Sequence, residues 1–416
     1  MPREKFITGI DVGSSKICAI VASVSEGRIS VIGVSHVPST GIKRGVVVDI
    51  DEAVEAIDLC LEKAQRMAGI SVSSAFVTVS GSHIESLNSH GVVAVSHQGV
   101  EISADDILRV TEAAQAVSLP SSKEIIHVIP RDFVVDGQSG IKDPTGMSGV
   151  RLEVETNVIT GLATSMRNLA KCVTQVGVEV EDLVFTGIAA GEAVLTDTEK
   201  DLGAILVDIG GGTTSIVIFY EGSPVYSSVL PIGGMHVTSD LAIGLRASME
   251  AAEKIKIRLS VERDRKIVEG EKRSEDIDVS EFNLESAQIP KKLLYEIIDA
   301  RLNEIFSLVA LEVRKSNLLG KLPAGLIITG GSAQTSGIER VAKNVLKTPV
   351  RIGYPKGVTG LIDEIEGPAF SAAVGVVLHG SQLSRTKNSS LSFASPKGKI
   401  SGVLSRGLNF FKSFLP

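Results

Sequence analysis

The sequence predicts an α/β protein in which one fold occurs twice, each copy carrying an insertion. Two glycine-rich segments of similar pattern occur at 9–16 (GIDVGSSK) and 207–215 (VDIGGGTTS). Each lies between two apolar runs, as expected for the turn of a β-hairpin. At 416 residues the chain is also too long for a single core. These observations together indicate two related halves.

In the first half, alternating strand and helix patterns indicate α/β layers. Strands are predicted at 6–12, 17–24 and 29–36, followed by an amphipathic helix at 51–67 and a strand at 75–79. From about residue 83 the pattern changes to short strands, with a helix N-cap at Ser103. This change predicts a small inserted subdomain that ends near residue 160, after which a helical pattern resumes at 165–177.

The second half begins with a strand at 204–207 and repeats the opening scheme. Its own insertion is predicted from about 233 to 305, with an exposed loop or hairpin at the charged stretch 261–278. A long helical segment at 291–319 leads to a strand and a third glycine turn, Gly330-Gly331-Ser332. A glycine pair after a strand is weak evidence alone, but three such loops in this order are much stronger.

The paired loops carry residue types that bind phosphate. Glycine lets backbone N–H groups approach anionic oxygens, Ser and Thr hydroxyls add donors, and a carboxylate in each loop could orient Mg²⁺ through its water molecules. Neither loop is a P-loop or a dinucleotide fingerprint, because GxxxxGK[ST] and GxGxxG are absent there. The loops therefore predict a nucleotide between the halves, with these candidate residues: Asp11, Gly13, Ser14, Ser15, Lys16, Asp208, Gly210, Gly211, Gly212, Thr213 and Thr214.

Composition narrows the class of protein. The chain is 43% hydrophobic and 22% charged, which is ordinary for a soluble globular protein. Its three widely spaced cysteines do not indicate a disulfide framework, and neither a signal peptide nor a run of 18 apolar residues is found. The net charge is −7, while residues 381–416 carry six Lys and Arg and no acid. The acidic body argues against nucleic-acid binding.

The three loops resemble those of the actin, Hsp70 and sugar-kinase superfamily. The resemblance makes Asp11 to Lys16 and Asp208 to Thr214 the two phosphate loops and implies an adenosine loop at Gly330, Gly331 and Ser332. The segment 253–260 (EKIKIRLS) is similar to an Hsp70 segment that holds ribose and base, which makes Glu253 and Lys256 nucleoside contacts. Without the three loops, this pair would be an ordinary i, i+3 helix-surface pair. The implied cofactors are ATP and Mg²⁺, with the metal held through waters by the two aspartates.

Within the superfamily the chain resembles the FtsA family of actin-like bacterial division proteins. The shared features are Ser-Ser-Lys in the first loop, an insertion at about residue 83, the run at 201–214 (DLGAILVDIGGGTT) and an amphipathic C-terminus. The implied fold is actin-like, a duplicated RNase H-type unit. Its subdomains are 1A (1–82, 161–195 and 356–380), 1C (83–160), 2A (196–232 and 305–355) and 2B (233–304), followed by a flexible linker (381–399) and a membrane-targeting helix (400–416).

The resemblance also implies a function. Such a protein binds ATP, self-associates into filaments on the cytoplasmic face of the membrane and anchors FtsZ filaments at the division site. FtsZ is expected to contact subdomain 2B, and other division proteins are further expected partners.

One departure bears on catalysis. Hsp70 and bacterial actins carry a Glu-Pro pair at the crossing between the halves, where the Glu helps to place the attacking water. Aligned on Glu192, that pair falls at Thr186 and Gly187. Threonine cannot serve as a general base there. We therefore expect tight ATP binding with slow or undetectable phosphate release, and no catalytic residue is assigned.

The last residues have the pattern of an interfacial helix. Plotted at about 100° per residue, the apolar side chains of 400–415 fall on one side and the polar, partly basic ones on the other. A polar linker, two glycines and three Phe favour a membrane-surface helix over docking on the protein itself. The candidate membrane residues are Ile400, Val403, Leu404, Leu408, Phe410, Phe411, Phe414 and Leu415.

Two alternative functions use the same loops. A cytosolic protein of the type IV pilus apparatus would share the loops and the early insertion but would not need the 381–416 tail. A sugar or acetate kinase would need a catalytic Asp facing a substrate cleft, and the sequence offers no convincing candidate.

Overall fold

The structure, a computed structural model, describes residues 5–95, 101–269, 275–282, 287–318 and 320–390, without the side chains of 262–269 and 385–390. The first half opens with three long strands and a short hairpin. Its elements are β1 (Lys5–Val12), β2 (Lys16–Ser25), β3 (Arg28–Pro38), β4 (Ile42–Lys43), β5 (Val46–Val47), α1 (Ile50–Ala68) and β6 (Ser74–Val79).

Helix α1 matches the amphipathic helix predicted at 51–67. The Asp49 side chain accepts a hydrogen bond from the Glu52 N–H and caps the first turn, and Gly69 ends the helix at φ 70°. Its apolar face packs so closely on β3 that a Cβ on Gly33 would lie 2.5 Å from the Ala64 carbonyl oxygen. The helix therefore covers one face of the first sheet.

The inserted segment has its own strands and its own core. It contains β7 (Glu85–Ala94), α2 (Ala104–Gln115), β8 (Lys123–Val135), β9 (Gln138–Ile141) and β10 (Arg151–Leu162). Ser103 caps α2 as predicted, through a reciprocal capping box with Asp106. A separate cluster of buried apolar residues, including Val110, Phe133 and Leu152, lies between α2 and the strands.

The chain then returns to the first half and enters the second. These elements are α3 (Ala163–Gln175), β11 (Glu179–Phe185), α4 (Thr186–Val194), α5 (Asp197–Leu202), β12 (Ala204–Ile209), β13 (Thr214–Tyr220) and β14 (Ser223–Leu230). The remaining elements are α6 (Gly234–Leu245), α7 (Met249–Glu269), β15 (Asp276–Asp278), β16 (Gln288–Pro290), α8 (Lys291–Lys315), β17 (Gly325–Thr329), α9 (Ile338–Leu346), β18 (Val350–Ile352), β19 (Thr359–Gly360) and α10 (Ser371–Ser390).

The duplication predicted from the loops is visible in the sheets. The first half has the strand order β11-β6-β1-β2-β3, and the second has β18-β17-β12-β13-β14. In both, the central strand pairs antiparallel with the next strand of the chain and parallel with a strand that comes later. The fold is therefore a mixed α/β architecture used twice, as the sequence predicts.

The insertion joins the sheet of the second half. Strand β14 is followed in the sheet by β7, β10, β8 and β9, which makes nine strands with those of the second half. The junction is one antiparallel pair, Ser228 opposite Glu85. Through this contact a segment that departs from the first half after β6 is anchored on the second half.

Two predictions need correction. The stretch 261–278 was expected as a loop or hairpin, but α7 continues to Glu269, since residues 261–269 are rich in strong helix formers and contain no Gly or Pro; only Asp276–Asp278 belongs to a hairpin, with β16. Residues 381–390 of the segment predicted as a linker (381–399) belong instead to α10, which continues to Ser390 with Leu383 and Ser384 buried. The rest of the linker and the predicted membrane helix lie outside the described residues.

Candidate functional site

A cavity of about 840 Å³ lies between the two halves. It is lined by the turn after β1, the turn after β12, the segment after β17 and the facing side of α7. Cavities of this volume suit a ligand the size of a nucleotide. The halves thus meet around one site, where their matching hairpin turns face each other.

The two phosphate loops have the same backbone geometry. In the first, the Gly13 N–H donates to the Lys16 carbonyl oxygen at 3.0 Å, and in the second the Gly210 N–H donates to the Thr213 carbonyl oxygen at 2.9 Å. In each case four residues connect the last paired residues of the two strands. The repeated bond shows that the sequence similarity between the loops corresponds to one structural motif.

The loops also contact each other across the cavity. A Cβ on Gly211 would lie 2.8 Å from the Ser15 Cβ, and one on Gly212 would lie 3.0 Å from the Ser14 Cβ. Any larger residue at these positions would push the halves apart. The glycines therefore allow the two backbones to approach each other at the place where phosphate oxygens would bind.

Asp11 and Asp208 are buried in the cavity wall, each with 8% of its surface exposed. Burial raises the pKa of Asp11, while the Thr78 hydroxyl, which donates to Oδ1 at 2.7 Å, and the Lys16 ammonium lower it. Burial and the neighbouring Asp11 carboxylate raise the pKa of Asp208 to about 7, against the opposing effect of Lys16. A cation bound between the two carboxylates would favour the ionised form of both.

Lys16 lines the cavity between these carboxylates and an aromatic ring. Its Nζ lies 3.3 Å from the centroid of the Phe370 ring, a cation–π contact. Burial lowers the pKa of the ammonium, although Asp11 and Asp208 act in the opposite direction. The ring contacts the ammonium in the cavity, where the sequence predicts a phosphate ligand.

The third loop closes the other side of the cavity. Gly330 has φ 85°, and a Cβ there would lie 2.2 Å from the Asp208 Oδ1. The Ser332 hydroxyl donates to the Gly210 carbonyl oxygen at 3.0 Å. The adenosine loop inferred from the resemblance is thus attached directly to the second phosphate loop.

Glu253 and Lys256 lie on the wall formed by α7. The Lys256 Nζ donates to the Glu253 Oε2 at 2.7 Å and to the Thr238 hydroxyl at 2.9 Å. Lys256 is largely buried, so the pair is more than an exposed helix-surface ion pair. The network ties α7 to the start of α6, beside Gly234 in the cavity wall.

Two predicted binding residues do not line the cavity. Gly212 is buried against Ser14 and the Arg44 backbone, and Thr214 is fully buried with its hydroxyl donating to the Ile232 carbonyl oxygen at 2.7 Å. The other predicted residues all do: Asp11, Gly13, Ser14, Ser15, Lys16, Asp208, Gly210, Gly211, Thr213, Glu253, Lys256, Gly330, Gly331 and Ser332. Thr214 is not part of the wall, whereas Ser215, the next residue of β13, lines the cavity.

Sequence reasoning missed several lining residues from other parts of the chain. They include Gly45, Ser80, Gly234, Met235, Ser336, Arg340 and Tyr354. Ser80 lies 3.5 Å from the Thr213 hydroxyl, measured between their oxygens. The sequence marks Ser80 and Gly45 only by their small size, one after a strand and the other in a tight turn.

Thr186 lines the cavity, and its hydroxyl donates to the Val79 carbonyl oxygen at 3.0 Å. Glu192, on the same helix α4, instead pairs with the buried His379 of α10 at 3.0 Å. Neither side chain is placed as a free general base in the cavity. Among the residues described in this structure, no group of three or more His, Cys, Asp or Glu forms a metal site.

The predicted membrane residues Ile400, Val403, Leu404, Leu408, Phe410, Phe411, Phe414 and Leu415 lie outside the described residues. In the part of the chain that is described, no helix has the length and apolar composition needed to cross a membrane.

Comparisons with known proteins show similarity to cell division proteins over most of the chain. The family model "Cell division protein FtsA" matches residues 205–375, and the model "SHS2 domain inserted in FTSA" matches residues 81–160. The cell division protein FtsA of Pseudomonas aeruginosa is 41% identical over 91% of this chain and 90% of that protein. The FtsA proteins of Bacillus subtilis and Escherichia coli are 36% and 33% identical, over 97% and 91% of this chain and 90% and 91% of those proteins.

Solved structures share the fold at low sequence identity. A PilM–PilN type IV pilus biogenesis complex has a TM-score of 0.64 at 15% identity, covering 90% of this chain and 98% of that chain. MreB5 of Spiroplasma citri bound to AMPPNP has a TM-score of 0.54 at 14% identity, covering 94% and 100%. These similarities establish an actin-like architecture for the two halves.

Proposed function

This chain belongs to the FtsA family of cell-division proteins, and from that premise we propose that it binds ATP, polymerises on the cytoplasmic membrane and anchors FtsZ filaments at the septum. The observation that carries the nucleotide part is the pair of matching loops facing one cavity. Their backbones meet at Gly211 and Gly212, where only glycine fits. Such loops bind phosphate oxygens through backbone N–H groups and hydroxyls. The resemblance to an actin-like protein solved with AMPPNP agrees with this assignment.

The carboxylate pair supports Mg²⁺ as the companion of the nucleotide. Two buried aspartates are too few ligands for a protein-built metal cage, but they suit a hydrated Mg²⁺ that also binds phosphates. A divalent cation supplies charge neutralisation between the carboxylates and the phosphates. Burial and the neighbouring Asp11 raise the pKa of Asp208 to about 7, and a bound cation would favour its ionised form.

Turnover is expected to be slow. The Thr186 hydroxyl occupies the position where a water-placing Glu is expected, and it donates to a backbone carbonyl. A hydroxyl with an ordinary pKa does not accept a proton from water at neutral pH. The cavity is therefore proposed to hold ATP as a conformational ligand, with weak or no hydrolysis.

The tail supports the membrane part of the proposal. Partial burial of its eight large apolar side chains would contribute roughly 8 kcal/mol, and each basic residue near an anionic surface about 1 kcal/mol. Ordering the segment offsets most of this. Single chains should therefore bind reversibly and filaments firmly, since many tails act together.

The partners follow from the family. FtsZ is proposed to contact the 233–304 segment, which contains α6, α7, β15, β16 and the first part of α8. Self-association into filaments and contacts with other division proteins are proposed on the same basis. The subdomain boundaries given above are part of the proposal.

The two alternatives receive less support. Sequence similarity over most of the chain is to division proteins, whereas the pilus complex shares 15% identity and therefore only the fold. A small-molecule kinase needs a carboxylate that is free to act as a base in the cleft. The two cavity aspartates are better placed to hold a hydrated Mg²⁺ that binds the phosphates. The tail also has no role in either alternative.

Co-sedimentation with liposomes that contain anionic lipid tests the proposal. The intact chain and a chain ending at Ser390, which keeps α10 complete, are compared with and without ATP and Mg²⁺. Only the intact chain should pellet, and more of it with ATP. Phe414→Asp should reduce pelleting while Ser413→Asp, with the same added charge on the polar side, should reduce it less. Equal pelleting of the intact and shortened chains would contradict the membrane anchor.

A further inference from the structure

The short hairpin β4–β5 places an arginine beside both phosphate loops. Ile42 pairs with Val47 and Lys43 with Val46, which leaves Arg44 and Gly45 as a two-residue turn. Both turn residues have positive φ, 48° and 76°. This is the geometry of a type I′ turn, in which Gly is common and Arg is not. Arg44 thus occupies the first position of the turn, at the tip of the hairpin.

The tip of this hairpin is held tightly. The Gly45 N–H donates to the Ser14 hydroxyl at 2.8 Å, and a Cβ on Gly45 would lie 2.8 Å from the Gly81 nitrogen. On the other side, a Cβ on Gly212 would lie 3.3 Å from the Arg44 Cα. The Arg44 backbone therefore lies against the second phosphate loop, just outside the lining of the ligand-free cavity, while its neighbour Gly45 contacts the first loop and lines the cavity.

The charge balance at this end of the cavity favours a further cation. Two carboxylates, Asp11 and Asp208, and one ammonium, Lys16, line this end of the cavity. The other cations in the wall are engaged elsewhere: Lys256 with Glu253, and Arg340 with both carboxylate oxygens of Asp299. Arg44 is exposed, and across the described residues its guanidinium has no hydrogen bond or ion pair.

We propose that Arg44 binds the terminal phosphate of the nucleotide and distinguishes a triphosphate from a diphosphate. The proposal rests on the proposed function, because it concerns the same cavity. A guanidinium presents a planar fork of N–H donors that matches phosphate oxygens. The γ-phosphate is the group that a diphosphate lacks. A side chain starting above Gly212 can thus report which nucleotide is bound, without taking part in the chemistry.

The test compares the affinities for AMPPNP and ADP, both with Mg²⁺, in the full-length chain. Arg44→Gly removes the side chain at a backbone position that favours glycine, so the hairpin should be retained. Loss of a charge-assisted hydrogen bond should lower AMPPNP affinity by about tenfold or more and leave ADP affinity unchanged. Arg44→Lys should give an intermediate loss. Lys43→Ala removes the same charge from the adjacent exposed position and should change neither affinity.

Each other outcome overturns the inference. If Arg44→Gly binds AMPPNP as the unaltered chain does, the arginine has no part in phosphate binding. If it loses affinity for both nucleotides equally, the hairpin only supports the loops. Thermal unfolding without nucleotide separates this from misfolding, because the variant should unfold at the same temperature or higher. An unaltered chain that binds neither nucleotide would instead contradict the proposed function itself, and this inference with it.

Discussion

Asp11 and Asp208 occupy equivalent positions in the two halves, but a threonine hydroxyl reaches only the first. Thr78 donates to Asp11 from the neighbouring parallel strand. The equivalent Thr329 is paired with Asp208 in the sheet register, yet its hydroxyl donates to the Gly353 carbonyl oxygen at 3.0 Å. Within the described part of the chain, no side chain donates to the Asp208 carboxylate. Asp208 is therefore the carboxylate most available to a cation.

This asymmetry predicts how Mg²⁺-dependent binding varies with pH. Because the pKa of Asp208 is about 7 without ligand, a proton competes with the cation below that pH. AMPPNP affinity with Mg²⁺ should fall by up to about tenfold per pH unit below 7, and with EDTA it should change little. Asp208→Asn should bind more weakly and lose the pH dependence, as measured by calorimetric titration. A pH dependence that survives in Asp208→Asn would contradict the assignment.

The raised pKa of Asp208 also determines whether the free energy of unfolding of the ligand-free chain rises or falls with pH. An isolated aspartate ionises near pH 4, so between about pH 4 and 7 the unfolded chain loses this proton before the folded one does. The contribution of Asp208 to the free energy of unfolding therefore decreases as pH rises through that window. A bound cation would reverse the effect, because it favours the ionised carboxylate.

At the residue scale, most of the cavity residues that the sequence predicts belong to contiguous motifs. The glycines and aspartates of both loops are adjacent in the chain, so their pattern alone assigns them. Ser80 reaches the cavity from the end of β6, Gly45 from the β4–β5 hairpin and Arg340 from α9. Their role depends on how the elements pack, which a local pattern does not encode.

At the scale of elements, helices α4 and α10 cross with almost no space between their backbones. A Cβ on Gly375 would lie 1.7 Å from the Ala189 carbonyl oxygen. Buried Glu192 of α4 and His379 of α10 pair beside this crossing, and the N-terminus of α4 carries Thr186 of the cavity wall. The crossing thus connects the cavity between the halves to the helix that precedes the C-terminal tail.

Gly375→Ala should destabilise the protein strongly. The new methyl group has no space unless the two helices separate, and overpacking of this kind costs about 1–3 kcal/mol or more. Thermal unfolding should show a clear drop in Tm. Gly367→Ala is the matched control, since its Cβ would meet nothing closer than 3.9 Å. Similar Tm values for the two variants would show that the crossing is looser than described.

Element type was predictable where apolar periodicity was strong, as in α1 and the two loop hairpins. It was not predictable at 261–269, where the sequence is rich in charged residues and lacks the apolar stripe that marks a helix of the core. The same ambiguity affected the end of α10, because its last turns are rich in Ser and resemble a linker.

At the scale of the whole molecule, the insertion bridges the two halves. It is attached to the first half by the chain itself and to the second by a polar contact. The Ser227 N–H donates to the Ser86 hydroxyl at 2.7 Å, and the Asn157 side chain donates to the Val225 carbonyl oxygen at 3.2 Å. Buried Ser227 Oγ and Asn157 Oδ1 have no hydrogen-bond partner in the described structure. Polar, incompletely satisfied contacts are typical of interfaces that can separate.

A disulfide between Ser86→Cys and Ser227→Cys should lock this bridge. The two residues lie opposite each other on adjacent antiparallel strands, within the distance that a disulfide spans. The native cysteines Cys18, Cys60 and Cys172 are buried and should not compete. Nucleotide should dissociate more slowly from the oxidised protein, because the halves can no longer open freely, and reduction should restore the rate. The single-cysteine variants are the controls, and an unchanged rate after locking would contradict the bridge.

The bridge also closes a sheet edge. In each half the third strand of the hairpin series would otherwise be an open edge, and each is covered in part: β3 by β19 over two residue pairs, and β14 by β7 at one pair. Open edges invite indiscriminate strand addition and aggregation. Where these edges are occupied, a neighbouring molecule cannot extend a backbone ladder along the whole strand. The same short pairings that join the parts of the chain thus also limit strand addition at these two edges.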